Sequence, residues 1–266
     1  MAESGLISKK KLEGKVAIVT GGASGIGEAA ARLFANNGAR MVVIADIQDE
    51  VGRRVAESIG LEQASYIHCD VTDEEQVKAM VKSTVQNHKQ LDIMLSNAGL
   101  LSRSDQTILD LDFSELDRMF AVNVRGMAAC VKHAARVMVE GHVRGSIVCT
   151  ASVASCSAFD KFIDYFMSKH AVLGLVRSAS NQLGAHGIRV NCVSPYIIAT
   201  PMTCHAVGMD PEQEEEVEKI FEPNIVLKGL ALKAIHVADA LLFLASNDSA
   251  CVTGHNLVVD GGFLIK

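Results

Sequence analysis

The stretch Val16-Ala17-Ile18-Val19-Thr20-Gly21-Gly22-Ala23-Ser24-Gly25-Ile26-Gly27 decides the fold of this chain. An uninterrupted apolar run ends in a glycine-rich turn, and the turn opens into an amphipathic stretch over residues 25–37. Continuous apolar runs suit strands of a parallel sheet buried on both faces. The glycines allow a tight turn and close backbone approach to a pyrophosphate, whose charge the N-terminus of the following helix favours. Gly21, Ser24, Gly25, Ile26 and Gly27 are therefore candidate phosphate-binding residues. No Gly-Lys-Ser/Thr ending follows, so the turn does not read as the P-loop of a nucleoside triphosphatase.

Outward from this unit the pattern alternates along the whole chain. Short β-branched runs at 16–20, 41–45, 65–69, 92–95, 146–150, 189–193 and 256–259 read as parallel strands. Amphipathic stretches at 25–37, 48–59, 73–88, 113–139, 162–185 and 236–245 read as helices. Seven strands alternating with helices predict a single α/β domain, a doubly wound seven-stranded parallel sheet of the Rossmann kind spanning 1–266, with helices on both faces. Residues 1–11, which include Lys9-Lys10-Lys11, read as a solvated lead-in. The irregular segment 199–230 holds Pro201, Gly208, Pro211, Pro223 and Gly229, and its length marks it as a lid. The acidic run 212–218 inside it reads as a solvated helix face rather than a metal site.

Composition narrows the partners. Of 266 residues, 49% are hydrophobic and 21% charged, enough apolar material for a large core. A net charge of −6 argues against nucleic acid or an anionic membrane as partner. The seven cysteines are an odd number without a C-x-x-C pair, which points to a reducing compartment and a cytoplasmic location. No window is apolar and long enough to span a membrane, and the N-terminus lacks the apolar stretch of a signal peptide.

Two constellations carry chemistry. Asp46 closes the second strand 19 residues beyond Gly27, where a carboxylate accepts hydrogen bonds from an adenosine ribose and repels a 2′-phosphate. Ile47 and Gln48 follow it rather than an Arg, so NAD is expected over NADP. Further along, Tyr165 and Lys169 stand four apart in a helix, on one face. An ammonium beside a phenol can lower its pKa from near 10 by about 1–3 units, toward what a general base needs. The nine histidines lack metal-ligand spacing, so no metal is expected.

Taken together, Thr20–Gly27, Asn97-Ala98-Gly99, Asn123, Ser152, Tyr165 with Lys169, and Val193-Ser194-Pro195 resemble in order and spacing the short-chain dehydrogenase/reductases of the classical, NAD-preferring type. Ser152 precedes Tyr165 by 13 residues, as is usual there, and the likeness runs from about Lys11 to Gly262. The resemblance implies Tyr165 as general acid/base, Lys169 lowering its pKa and holding the nicotinamide ribose, Ser152 bonding the substrate oxygen, and Asn123 anchoring a water in a proton relay. It further implies Asp46 and Ile47 near the ribose and Asp70 and Val71 at the adenine. Asn97, Ala98, Gly99 and Pro195 would line the cofactor, with Ile198 and Thr200 at the nicotinamide amide. Ser96 and Tyr196 depart from the family's usual Asn and Gly.

The expected substrate wall is apolar. Leu100, Val153, Phe159 and Tyr196 join Ser152 and Tyr165 in a pocket suited to a hydrophobic secondary alcohol. The chain's wording resembles the plant branch that includes secoisolariciresinol and monoterpenol dehydrogenases. That implies oxidation of a cyclic monoterpenol such as borneol, with isopiperitenol or a lignan lactol as alternatives. An NADPH-dependent carbonyl reductase and a dinucleotide-binding protein without catalysis are the competing readings. The family likeness also implies a homotetramer, with the helices at 113–139 and 162–185 pairing across subunits.

Overall fold

The computed structural model describes residues 10–266. The expected lead-in lies outside the described residues except for its last two, of which Lys11 pairs with Asp248 at 2.8 Å. Seven strands form one parallel sheet: β1 (Val16–Thr20), β2 (Met41–Asp46), β3 (Ala64–His68), β4 (Ile93–Ser96), β5 (Ser146–Thr150), β6 (Arg189–Pro195) and β7 (Asn256–Val259). Their order is β3-β2-β1-β4-β5-β6-β7, so the winding reverses between β1 and β4. Ligands of such sheets bind at that reversal, beyond the carboxyl ends of the strands.

The five inner strands are buried on both faces, which is why they read as apolar runs, whereas the edge strands β3 and β7 are partly exposed. Ala17 and Val19 of β1 face one core, packed with Phe34, Val55 and Leu241. Val16 and Ile18 face the other, with Met80, Met127, Met138 and Val176. The first core lies under α1 (Gly25–Asn36), α2 (Asp49–Ile59) and α9 (Ala234–Ala245). The second lies under α3 (Glu74–His88), α5 (Met127–Glu140) and α6 (Ile163–Leu183).

Three features differ from the sequence reading. The helix expected at 113–139 is α4 (Phe113–Phe120) and α5 joined by a turn, Ala121–Gly126, wound wider than an α-helix. Such wide turns cluster at functional sites, and this one carries Asn123. Secondly, the segment 199–230, expected to be a lid, is not irregular throughout. It contains α7 (Pro201–Ala206) and α8 (Glu214–Phe221). In α8 the acidic residues are largely exposed while Val217 points into the protein, the solvated face expected. Thirdly, α9 begins two residues before His236, because the Lys233 N–H donates to His236 Nδ1 and closes the first turn. Asp73 caps α3, accepting from the N–H groups of Glu75 and Gln76. The Gln76 carbonyl oxygen, however, takes the Asp70 N–H.

Candidate active site

The glycine turn tolerates no side chain where a dinucleotide needs the backbone bare. A Cβ on Gly27 would lie 2.0 Å from the Gly21 carbonyl oxygen, and one on Gly21 2.9 Å from Ala98 Cα. Gly21 and Gly25 both have positive φ. Ser24 starts α1 without a side-chain cap, so the first-turn N–H groups have no side-chain acceptor, as an anion site requires. Buried Asp46 ties the turn to β2: Oδ2 accepts from Ala23 N–H at 3.1 Å and Oδ1 from Gln48 N–H at 3.0 Å. Ile47 beside it is exposed. These residues fit the dinucleotide expected from the sequence.

Asn97 knots three strand ends together. Its amide donates to the Thr20 and Gly21 carbonyls, and its oxygen accepts from Thr150 Oγ1 at 2.9 Å. The Ala98 N–H donates to Thr20 Oγ1. Gly99 follows at the point where a Cβ would lie 3.3 Å from Asn123 Oδ1 and 3.7 Å from Lys169 Nζ. Asp70 bonds the N–H and hydroxyl of Thr72, and Val71 is buried against Gly126. At the other end of the site, Ile198 is buried after Pro195, and Thr200 caps α7.

The four expected chemical residues converge here. Tyr165 and Lys169 lie on α6, and the Lys169 ammonium is 5.6 Å from the Tyr165 ring centre. Lys169 donates to the Thr150 carbonyl at 2.9 Å, at the end of β5. Ser152, two residues on, accepts from Ala154 N–H and sits beside the Tyr165 hydroxyl. Asn123 joins the segments: Oδ1 accepts from Leu100 N–H at 2.8 Å, and Nδ2 donates to Leu100 O at 3.1 Å and Ser168 Oγ at 3.1 Å. Its side chain is thus committed to holding the loop after β4 against α6.

The electrostatics correct one expectation. In the protein alone Lys169 does not depress Tyr165. Burial pushes the phenol above its ordinary value, with the Ser152 hydroxyl opposing. Burial likewise brings Lys169 down to about 8, against the smaller upward pull of the Cys149 and Cys192 thiols. The ammonium donates to Thr150 O and stands 5.6 Å from the Tyr165 ring centre.

The apolar wall is only partly as expected. Leu100 is bonded to Asn123, Val153 directly follows Ser152, and Phe159 is exposed beside Phe166 at 5.5 Å between ring centres. Tyr196 is buried, stacked on Phe263 at 4.2 Å and edge-on to Phe221 of α8 at 6.3 Å. Its ring therefore joins α8 to the segment after β7. Sequence reading missed Phe263, Thr150, Ser102 and Asp164 as parts of this region, because each acts through a partner distant in sequence.

Comparisons with known proteins agree with this architecture. Residues 21–264 match the family model described as Enoyl-(Acyl carrier protein) reductase, a short-chain dehydrogenase model. A (+)-cis,trans-nepetalactol synthase of Nepeta racemosa is 58% identical over 260 residues, covering 97% of this chain and 96% of that protein. The (−)-isopiperitenol/(−)-carveol dehydrogenase, mitochondrial, of Mentha piperita is 56% identical, covering 97% of this chain and 96% of its own length. The crystal structure of a short-chain dehydrogenase/reductase from Mycobacterium marinum superposes with a TM-score of 0.87 at 32% identity, covering 97% of this chain and 98% of that one. With its nucleotide turn, its Ser152–Tyr165–Lys169 cluster and relatives matched over nearly their full length, this chain belongs to the classical short-chain dehydrogenase/reductases.

Proposed function

We propose that the protein oxidises a hydrophobic secondary alcohol to a ketone with NAD, and that the alcohol is a cyclic monoterpenol such as borneol. The observation that carries this reading is the meeting of Ser152, Tyr165 and Lys169 at the carboxyl end of β5, beside the bare glycine turn. When bound, NAD supplies the hydride acceptor. Ser152 and Tyr165 hold the alcohol oxygen, and Tyr165 takes its proton as the carbinol carbon gives up hydride. Lys169 holds the ribose and offsets the developing phenolate charge, while Asn123 keeps the loop and α6 in register for proton release through water. The mint relative, named for isopiperitenol and carveol, supports an alcohol of this class, and either isopiperitenol or a lignan lactol is an alternative.

The cofactor preference rests on Asp46. A 2′-phosphate would meet its carboxylate with no Arg at Ile47 or Gln48 to compensate. Wild-type protein is therefore expected to give a higher kcat/KM with NAD⁺ than with NADP⁺ across a screen of monoterpenols, steroids, lignans and sugars. Asp46→Ser should narrow that gap by about tenfold or more, a shift of roughly 1.4 kcal/mol. A wild type that prefers NADP⁺ would overturn the reading.

The Nepeta relatives, named nepetalactol synthases, favour a second reading in which the pocket forms such a product with no net oxidation. Product formation without accompanying NADH would select it. Among the described residues no helix is long and apolar enough to cross a membrane. The free cysteines support a reducing compartment such as the cytoplasm, although the mint relative is named mitochondrial.

Assembly belongs to the same proposal. Phe113 of α4 and Met167 of α6 are 70% and 43% exposed, which supports pairing of these helices between subunits in a homotetramer. Light scattering at micromolar concentration should give about four times the monomer mass, and a monomer would contradict it.

A further inference from the structure

Asp164 is fully buried one residue before Tyr165, and its two oxygens are treated differently. Oδ1 accepts a 2.6 Å hydrogen bond from the buried Ser102 hydroxyl. Oδ2 has no partner, and among the described residues it is the only buried side-chain polar atom left so. A buried carboxylate with one hydroxyl partner costs stability, so stability alone does not account for it. Its placement does.

Ser102 lies on the segment leaving β4, and Asp164 lies in the first turn of α6. Two more bonds join the same pieces of chain. Ile163 N–H donates to the Gln106 carbonyl at 3.1 Å, and Lys161 Nζ pairs with Asp105 at 2.5 Å. The Asp105–Lys161 pair is half exposed, hence screened and weak, whereas the Ser102–Asp164 bond is short, buried and charge-assisted. Between these anchors Phe162 takes φ +61°, a left-handed conformation unusual for a bulky residue, at the entrance to α6. The segment 100–106 is thus drawn onto the helix end that carries Tyr165. Its upstream end is fixed by Leu100 on Asn123.

We propose that the Ser102–Asp164 hydrogen bond is a latch that holds segment 100–106 against α6 and so sets the fit of the substrate beside Tyr165. Ser102 and Asp164 are positioning residues, acting through the loop rather than on the reacting atoms. The identity of that substrate rests on the dehydrogenase reading, but the latch does not. The nucleotide turn is held separately, by Asp46 and Asn97, so the cofactor side is insulated from the latch.

The test compares wild type with Ser102→Ala, Ser102→Thr and Asp164→Asn. Ser102→Ala should raise KM for the alcohol about tenfold, as expected for loss of a hydrogen bond to a charged group, while KM for NAD⁺ stays within about twofold. Amide hydrogen exchange in 100–106 should quicken in the same variant. Ser102→Thr restores the hydroxyl and should return both readouts toward wild type. Asp164→Asn keeps an acceptor for Ser102 and should fall between, which also guards against an alanine variant that folds poorly. Unchanged exchange in 100–106, or KM for NAD⁺ rising as much as KM for the alcohol, would overturn the latch. If the wild type reduces NAD⁺ with no alcohol, the dehydrogenase reading fails, and the exchange comparison still decides the latch.

Discussion

Tyr165→Phe is expected to lower kcat/KM for alcohol oxidation by about three orders of magnitude, within the 10²–10⁴-fold that a positioned general base supplies. That is roughly 4 kcal/mol of transition-state stabilisation. The variant keeps the ring and its edge-on contact with Phe166, so the fold and cofactor binding should be nearly unchanged. Only the proton acceptor is removed. The direction of the pKa shift adds a pH signature. The base must be deprotonated, and burial raises the phenol above its ordinary value, so the competent form gathers on the alkaline side. Wild-type kcat/KM for oxidation should therefore climb with pH through the alkaline range, and the climb should vanish in the variant. A variant retaining wild-type activity would remove Tyr165 from the mechanism.

The second large effect is at the nucleotide turn. A Cβ on Gly27 would stand 2.0 Å from the Gly21 carbonyl oxygen and 2.7 Å from Asn97 Nδ2. Backbone cannot step aside as a flexible side chain can, so Gly27→Ala must open the turn between β1 and α1. The expected result is at least about a hundredfold loss of NAD⁺ affinity, or roughly 2.7 kcal/mol. Overpacking should also reduce folding stability by about 1–3 kcal/mol, read as a lower denaturant midpoint. Gly184→Ala is the control, since a Cβ there meets nothing within 4 Å, and it should leave both quantities alone. Unaltered NAD⁺ titration of Gly27→Ala would mean that the turn does not hold the cofactor.

The fold was legible because its signals are local. β1 was read with its true ends, since a strand buried on both faces writes itself as an unbroken apolar run ending at Gly21. The strand–turn–helix unit then fixed the parallel sheet and its binding edge. The wide turn at 121–126 was hidden, because one looser turn in a long helix scarcely disturbs the apolar period on either side. That Ser152, Tyr165 and Lys169 stand close together could be read from the chain, because their mutual spacing is strict. Residues whose role depends on pairing could not. Ser102 and Asp164 are 62 positions apart, and nothing at either position announces the other. Tyr196 misled for the same reason: beside the cofactor end in sequence, it turns inward to stack on Phe263. The pKa of Tyr165 was also out of reach, because it depends on how deeply the phenol is buried and on its contact with the Ser152 hydroxyl.

In the proposed reaction a carbinol carbon transfers hydride to NAD⁺ while Tyr165 takes the proton. Borneol carrying deuterium at its carbinol carbon, or whichever alcohol the screen selects, tests it most directly when incubated with the protein and NAD⁺. Wild type should yield deuterium in the NADH and turn over more slowly than with the unlabelled alcohol, with no transfer above background in Tyr165→Phe. Product formed with the label still on carbon and no NADH would contradict it.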